Sequence, residues 1–108
     1  MTSITPAPTL TLINTFTVAP EHQAELIRLL DAATESVMKR QPGFISANIH
    51  RSLDGKRVVN YAQWRSKADF EAMQKNPEAG RHMQAAGQMA EKFEPVLYEV
   101  ASVHDRPA

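Results

Sequence analysis

The sequence predicts a single α+β domain whose antiparallel sheet carries its helices on one face. Two observations lead to this prediction. Hydrophobic periodicity gives the order strand, helix, strand, strand, helix, strand, and an Asp54-Gly55 dipeptide marks a tight turn between the two middle strands. The length of 108 residues fits one domain and leaves little room for another.

The first predicted strand covers residues 9–18, where side chains alternate with a two-residue period. Leu10, Leu12, Phe16 and Val18 share one face, and Asn14 interrupts that apolar face. β-Branched threonines fill most of the opposite face, which also favours a strand.

A helix is predicted to follow from Pro20, which suits a first helical position. Its apolar positions recur at spacings of four, three and four, as in an amphipathic helix of about five turns. They are Leu26, Leu30, Ala33 and Val37. The helix should end near Gln41, because Pro42 disfavours the helical conformation of the residue before it.

Residues 44–51 and 57–64 are predicted as the second and third strands, joined by the turn at Asp54-Gly55. Ser66 is a plausible N-cap for a helix over residues 66–75, and Asn76-Pro77 breaks it before a second helical stretch over residues 77–92. Pro95 is expected to introduce the last strand, residues 96–103.

This order is the ferredoxin-like βαββαβ arrangement with a four-stranded antiparallel sheet. Because its helices lie on one face, the other face has no cover within one chain. Two such sheets meeting face to face would bury it, so we expect a homodimer in the form of a dimeric α+β barrel. Residues 1–8 are predicted to be a flexible segment, residues 9–104 the domain and residues 105–108 a tail.

Composition excludes several classes of function. Lys plus Arg equals Asp plus Glu at 12 each, which argues against a general nucleic-acid binder. Cysteine is absent, which excludes disulfides, thiolate metal sites and a cysteine nucleophile. The four histidines lack the tight spacing of metal ligands, so no metal is expected. With no signal-like start and no long apolar run, we expect a cytoplasmic protein without membrane contact.

The third strand holds the most informative side chains. Asn60 and Trp64 share one face with their Cα atoms roughly 13 Å apart, a span that suits two or three fused rings. If the first and third strands are central neighbours, Asn14 and Asn60 project into the same space between sheet and helices. Two amides and one indole there suggest a polar ligand in an apolar cavity. Singly, an Asn on a strand more often bonds a nearby loop, and a lone Trp is more often part of the core.

From Leu12 to Val103 the chain resembles the antibiotic biosynthesis monooxygenase family. The resemblance is most specific in residues 13–16, in Pro42-Gly43-Phe44 and in residues 54–64. The last stretch is similar to one in anthrone oxygenases of aromatic polyketide pathways. The resemblance implies a homodimer that oxidises a fused phenolic substrate to a quinone with O₂ and needs no flavin, haem or metal.

The resemblance also implies roles for particular residues. Asn60 would donate a hydrogen bond to the developing oxyanion, Asn14 would do the same or hold the peroxide, and Trp64 would position the rings. Phe70 stands where the oxygenase pattern has a tyrosine, and Arg81 is the nearest candidate for an arginine expected on the last helix. The residues expected to bind substrate are Phe16, Phe70, Arg81 and His50.

Two alternatives remain open from the sequence. Haem degradation would use Asn14 and Trp64 with His82 as the iron ligand, as in related dimeric α+β barrels, although the spacing from Trp64 to His82 is long for that set. Binding of a small aromatic ligand without turnover is the other, because the sequence shows no evident cluster of base, acid and nucleophile.

Overall fold

The computed structural model describes residues 9–107, so the flexible segment predicted for residues 1–8 lies outside the described residues. One antiparallel sheet has the strand order β2-β3-β1-β4. Its strands are β1 (Leu10–Thr17), β2 (Phe44–Arg51), β3 (Arg57–Trp64) and β4 (Lys92–Glu99). The helices are α1 (Gln23–Ser36), α2 (Lys67–Gln74) and α3 (Pro77–Met89). This confirms the ferredoxin-like arrangement with β1 and β3 at its centre.

The first predicted helix is divided into three parts. A 3₁₀ turn over Pro20–His22 precedes α1, and another over Met38–Arg40 follows it. The break falls at Val37, whose backbone (φ −127°, ψ −57°) leaves the α-helical region. The predicted apolar stripe is nevertheless buried along its whole length, so the prediction placed the correct face of the helix against the sheet.

The junction between β3 and α2 is fixed by a compact set of hydrogen bonds. The Ser66 hydroxyl accepts from the Asp69 backbone N–H at 3.1 Å and so caps α2, as predicted. Arg65 donates to both carboxylate oxygens of Asp69, at 2.8 and 3.0 Å, which together with the Ser66 hydroxyl lowers the pKa of Asp69. The backbone N–H of Arg65 donates to the Gly43 carbonyl at 2.7 Å. These bonds hold the backbone next to Trp64.

The last strand begins four residues earlier than predicted, at Lys92 instead of Val96. Pro95 therefore lies inside β4, opposite Asn14. The prediction was wrong because proline usually breaks or starts a strand, whereas β4 is an edge strand that needs ladder hydrogen bonds on one side only. The shift matters for function because it brings Phe93, which pairs with Phe16, onto the face that carries the helices.

The core between sheet and helices consists of two neighbouring apolar clusters. One surrounds Trp64 and includes Phe70 and Met73, and the other surrounds Phe16 and includes Leu26. Both clusters contribute to the cavity described below.

The sheet face that points away from the helices is exposed to solvent in one region and buried in another. Val96 and Tyr98 of β4 are 45% and 46% exposed, whereas Thr11 and Gln63 are only 2% and 1% exposed. Gln63 donates to the Thr11 hydroxyl at 3.1 Å. The expectation that this face has no cover within one chain is thus wrong at Thr11 and Gln63 and correct along β4. Within residues 9–107, no helix has the length and apolar character needed to cross a membrane.

Candidate active site

Two asparagines lie side by side at the centre of the sheet. Asn14 on β1 and Asn60 on β3 are direct partners in the antiparallel ladder, so their Cα atoms are about 4.5–5.5 Å apart. Asn14 alternates with the buried Leu12 and Phe16, which places its amide on the face covered by the helices. The predicted convergence of Asn14 and Asn60 is therefore confirmed.

Trp64 ends β3 four residues beyond Asn60, and its side chain is 2% exposed. The Phe44 ring meets it edge-on, with centroids 5.5 Å apart and planes at 90°. The Phe70 ring packs against it at 6.1 Å and 68°. Because edge-to-face contacts restrain both rings of a pair, the indole is held in one orientation relative to the strand.

Asn14, Asn60 and Trp64 line one cavity of about 250 Å³ between the sheet and the helices. Ligand sites in proteins usually measure about 300–1,000 Å³, so this cavity is slightly smaller than that range. Most of its wall is apolar. That wall includes Leu12, Phe16, Met38, Phe44, Met83 and Phe93.

Three polar atoms at this cavity are buried without a hydrogen-bond partner in the described part of the chain. They are Asn14 Oδ1, Asn60 Oδ1 and Trp64 Nε1. A buried polar group left unpaired costs about 1–3 kcal/mol of folding free energy. Three such groups around one apolar space therefore indicate a ligand that supplies both donors and acceptors, such as a molecule with hydroxyl and carbonyl groups.

The four residues predicted to bind substrate do not all lie at the cavity. Phe16 lines the cavity, whereas Phe70 packs against the Trp64 ring and is not part of the cavity wall. His50 is exposed and pairs with Val59, on the sheet face that points away from the helices. Arg81 is exposed on α3. Of the four residues, only Phe16 lies at the cavity, and its substrate-binding role stays a prediction.

Several cavity residues were not among the predicted site residues. Phe93 and Pro95 were missed because the last strand was expected to start after them. His82 was considered as a haem ligand and was not included among the predicted site residues. The sequence did indicate where His82 points. It lies three residues after Ala79 and four before Ala86, a spacing that places all three on one face of a helix. Both alanines are buried in the structure. Among residues 9–107, no three histidine, aspartate or glutamate side chains are grouped so that they could hold a metal.

A family model for antibiotic biosynthesis monooxygenase matches residues 9–86. The chain is also 53% identical over 83 residues to tetracenomycin-F1 monooxygenase of Streptomyces glaucescens, a match that covers 76% of this chain and 74% of that protein.

Solved structures also share this fold over most of the chain. A monooxygenase from the gene ActVA-Orf6 of Streptomyces coelicolor, in complex with nanaomycin D, has a TM-score of 0.83 and 26% identity, covering 91% of this chain and 92% of that one. A mutant of SnoaB, a cofactor-independent oxygenase from Streptomyces nogalater, has a TM-score of 0.79 and 26% identity, covering 90% and 97%.

The family match spans most of the chain, and the 53% identical relative is a monooxygenase. These similarities make the chain a monooxygenase, and SnoaB, which shares the fold, is a cofactor-independent oxygenase. The chain belongs to the antibiotic biosynthesis monooxygenase family.

Proposed function

We propose that this monooxygenase acts in aromatic polyketide biosynthesis and oxidises an electron-rich polycyclic phenol, of anthrone or quinol type, to a quinone with O₂. One observation carries the proposal: Asn14, Asn60 and Trp64 line one apolar cavity, and each has a buried polar atom with no hydrogen-bond partner among residues 9–107. Two relatives support the substrate class. One is named for tetracenomycin F1, and the other is in complex with nanaomycin D.

The cavity suits a flat molecule with oxygens at its edges. A fused phenol lying along β3 meets the Asn60 amide at one end and the Trp64 indole at the other, across roughly 13 Å between Cα atoms. The apolar wall keeps water away from the rings. Hydrogen bonds to the substrate oxygens are then stronger than in water, because the local dielectric is low.

The proposed reaction starts with loss of a proton from the substrate. The resulting anion passes one electron to O₂, and the substrate radical and superoxide combine with formation of a C–O bond. The peroxide then loses water as its O–O bond breaks, which leaves a carbonyl group. In sum, a CH₂ group and O₂ give C=O and H₂O.

The three residues would stabilise the negative charge that grows during this sequence. Asn60 donates from its amide nitrogen to the phenolate oxygen, and Asn14, its ladder partner, does the same or holds the peroxide. An asparagine can present either end of its amide, since the side chain carries both a donor and an acceptor. Trp64 positions the rings and donates through Nε1. Fixed donors in a water-poor site lower the barrier because they need no reorganisation when the charge appears.

The test is O₂ uptake by the metal-stripped protein with a dihydroxyanthrone as substrate. We expect uptake well above the spontaneous rate, and a kcat on the order of 10²-fold lower for Asn60→Ala, the usual effect of removing one oxyanion donor. Trp64→Phe keeps a flat ring and loses the donor, so it should also lower kcat. The matched control is Asn48→Ala, an exposed strand asparagine outside the cavity, which should keep the wild-type rate.

Uptake at the spontaneous rate by folded wild-type protein with several such phenols would contradict the proposal. If the same phenols raise the melting temperature without any uptake, the site binds an aromatic ligand without oxidising it.

Haem degradation is a second candidate, and one observation favours it. His82 lines the same cavity as Asn14 and Trp64, so a histidine is present beside them despite its distance along the sequence. A Soret band on adding haem, lost in His82→Gln, would support this candidate, and unchanged haem absorption would reject it.

A further inference from the structure

His82 is the only histidine, and the only residue with an acidic or basic side chain, among the described residues that line the cavity. It lies on the inward face of α3, between Ala79 and Ala86, which are 0% and 1% exposed. Its own side chain is half-buried. No residue from 9 to 107 gives its imidazole a hydrogen bond or an ion pair, so both ring nitrogens are available to a ligand.

The proposed oxidation needs a group that accepts a proton, and the other polar residues of the cavity cannot serve. An amide is not basic, and the indole N–H is a donor only. The remaining polar side chains of the wall are Thr34 and Gln84. The Thr34 hydroxyl donates to the Leu30 carbonyl at 2.8 Å, and neither a hydroxyl nor an amide is basic near neutral pH. Imidazole is the common protein base in that range.

We propose that His82 is the general base of the oxidation, taking the substrate proton at the start and returning it to the peroxide. The proposal rests on the function proposed above and adds the residue that starts the reaction. It concerns a residue on α3, whereas the amides and the indole lie on the sheet.

A single imidazole can carry out all the proton transfers of the proposed reaction. A neutral ring nitrogen of His82 takes one of the two protons of the anthrone CH₂ group and leaves an anion whose charge is shared with the carbonyl oxygen as a phenolate. After electron transfer to O₂ and formation of the C–O bond, the imidazolium protonates the peroxide anion to a hydroperoxide. The imidazole then takes the remaining proton from the same carbon while the O–O bond breaks, and hydroxide leaves. Hydroxide recovers that proton as water, and His82 is neutral again.

The experiment compares wild type with His82→Gln on two dihydroxyanthrones, the parent compound and one made more acidic by a halogen substituent. Glutamine keeps a polar side chain of similar length and cannot accept the proton. With the parent compound we expect kcat to fall by about 10²–10⁴-fold, the usual contribution of a general base. With the acidic compound the loss should be much smaller, because that anthrone has already lost its CH₂ proton in solution. Added imidazole should restore part of the rate to His82→Ala.

Two controls make the result specific. His22→Gln changes an exposed histidine outside the cavity and should match wild type with both compounds. The urea unfolding midpoint of His82→Gln should be close to that of wild type, which shows that the variant folds.

The outcomes separate the two proposals. If wild type takes up O₂ and folded His82→Gln does so at the same rate with both compounds, His82 is not the base and the proposed oxidation stands. An equal loss with both compounds, without rescue by imidazole, also overturns the base role. If wild type itself shows no uptake above the spontaneous rate, the proposed oxidation fails and the role of His82 fails with it.

Discussion

Asn14 and Asn60 place two amide groups next to each other on the two central strands of the sheet, with their amide oxygens buried. Neither amide oxygen has a hydrogen-bond partner among residues 9–107. A folded chain gains stability when such groups are paired or replaced by apolar ones of similar shape. Their presence is therefore best explained by a ligand, because the folded state alone would be more stable without them.

Replacing Asn14 by leucine should raise the stability of the protein and lower its activity. We expect Asn14→Leu to raise the free energy of unfolding by about 1 kcal/mol, since an unpaired amide becomes an apolar group that matches its neighbours Leu12 and Phe16. The same variant should lose most O₂ uptake. Urea unfolding and oxygen consumption on the same sample give both values. A clear loss of stability would show that the amide makes bonds that the free protein needs, against our interpretation.

The residues of the sheet were easier to predict than those of the helices. On a strand, alternation places side chains on one of two faces, so the convergence of Asn14 and Asn60 followed from strand order alone. On a helix, neighbouring residues differ by about 100° in direction, so an error of one position changes the environment completely. This is why Arg81, the predicted residue, is exposed while the next residue, His82, lines the cavity.

At the scale of elements, β2 and β3 have the predicted bounds because local chemistry determines their turn. Gly55 takes a left-handed backbone (φ 80°), and the Asp54 carboxylate accepts from the Lys56 N–H at 2.9 Å. The bounds of β4 depend on its pairing with β1, a long-range contact that local sequence does not reveal. That is the physical reason why the strand pattern was predicted correctly and the position of β4 was not.

The two glycines of α3 offer a matched test of how this helix packs. A Cβ at Gly80 would meet nothing within 4 Å, whereas a Cβ at Gly87 would lie 3.0 Å from the Phe93 ring. Gly80→Ala should raise the free energy of unfolding by about 0.5–1 kcal/mol through helix propensity. Gly87→Ala should raise it less, because Phe93 must move. Thermal unfolding of both variants gives the comparison, and equal stabilisation would mean that the Phe93 ring does not rest on α3 in solution.

At the scale of the whole molecule, the open part of the sheet lies along its β4 edge. Val96 and Tyr98 present apolar side chains there, on the face away from the helices. Contiguous exposed apolar surface of this kind is typical of an interface. The predicted homodimer would cover this region, whereas Thr11 and Gln63 are already buried within one chain.

Analytical ultracentrifugation tests the dimer directly. We expect the wild-type protein to sediment as a dimer, and Tyr98→Lys to shift it toward the monomer because a charge would be buried at the contact. Leu53→Lys is the control, since Leu53 is fully exposed at the tip of the β2–β3 turn and should leave assembly unchanged. A wild-type protein that is monomeric at every concentration would contradict the expectation.

The position of Trp64 has a practical consequence in optical spectroscopy. It is the single tryptophan of the chain, and its ring is buried against the cavity between Phe44 and Phe70. Intrinsic fluorescence excited in the indole band therefore comes from one known place. An aromatic occupant would quench that emission by contact, and a quinone would quench it more strongly by accepting an electron from the excited indole. Ligand binding in the cavity and formation of product could then be followed as two successive decreases in the fluorescence of the unlabelled protein.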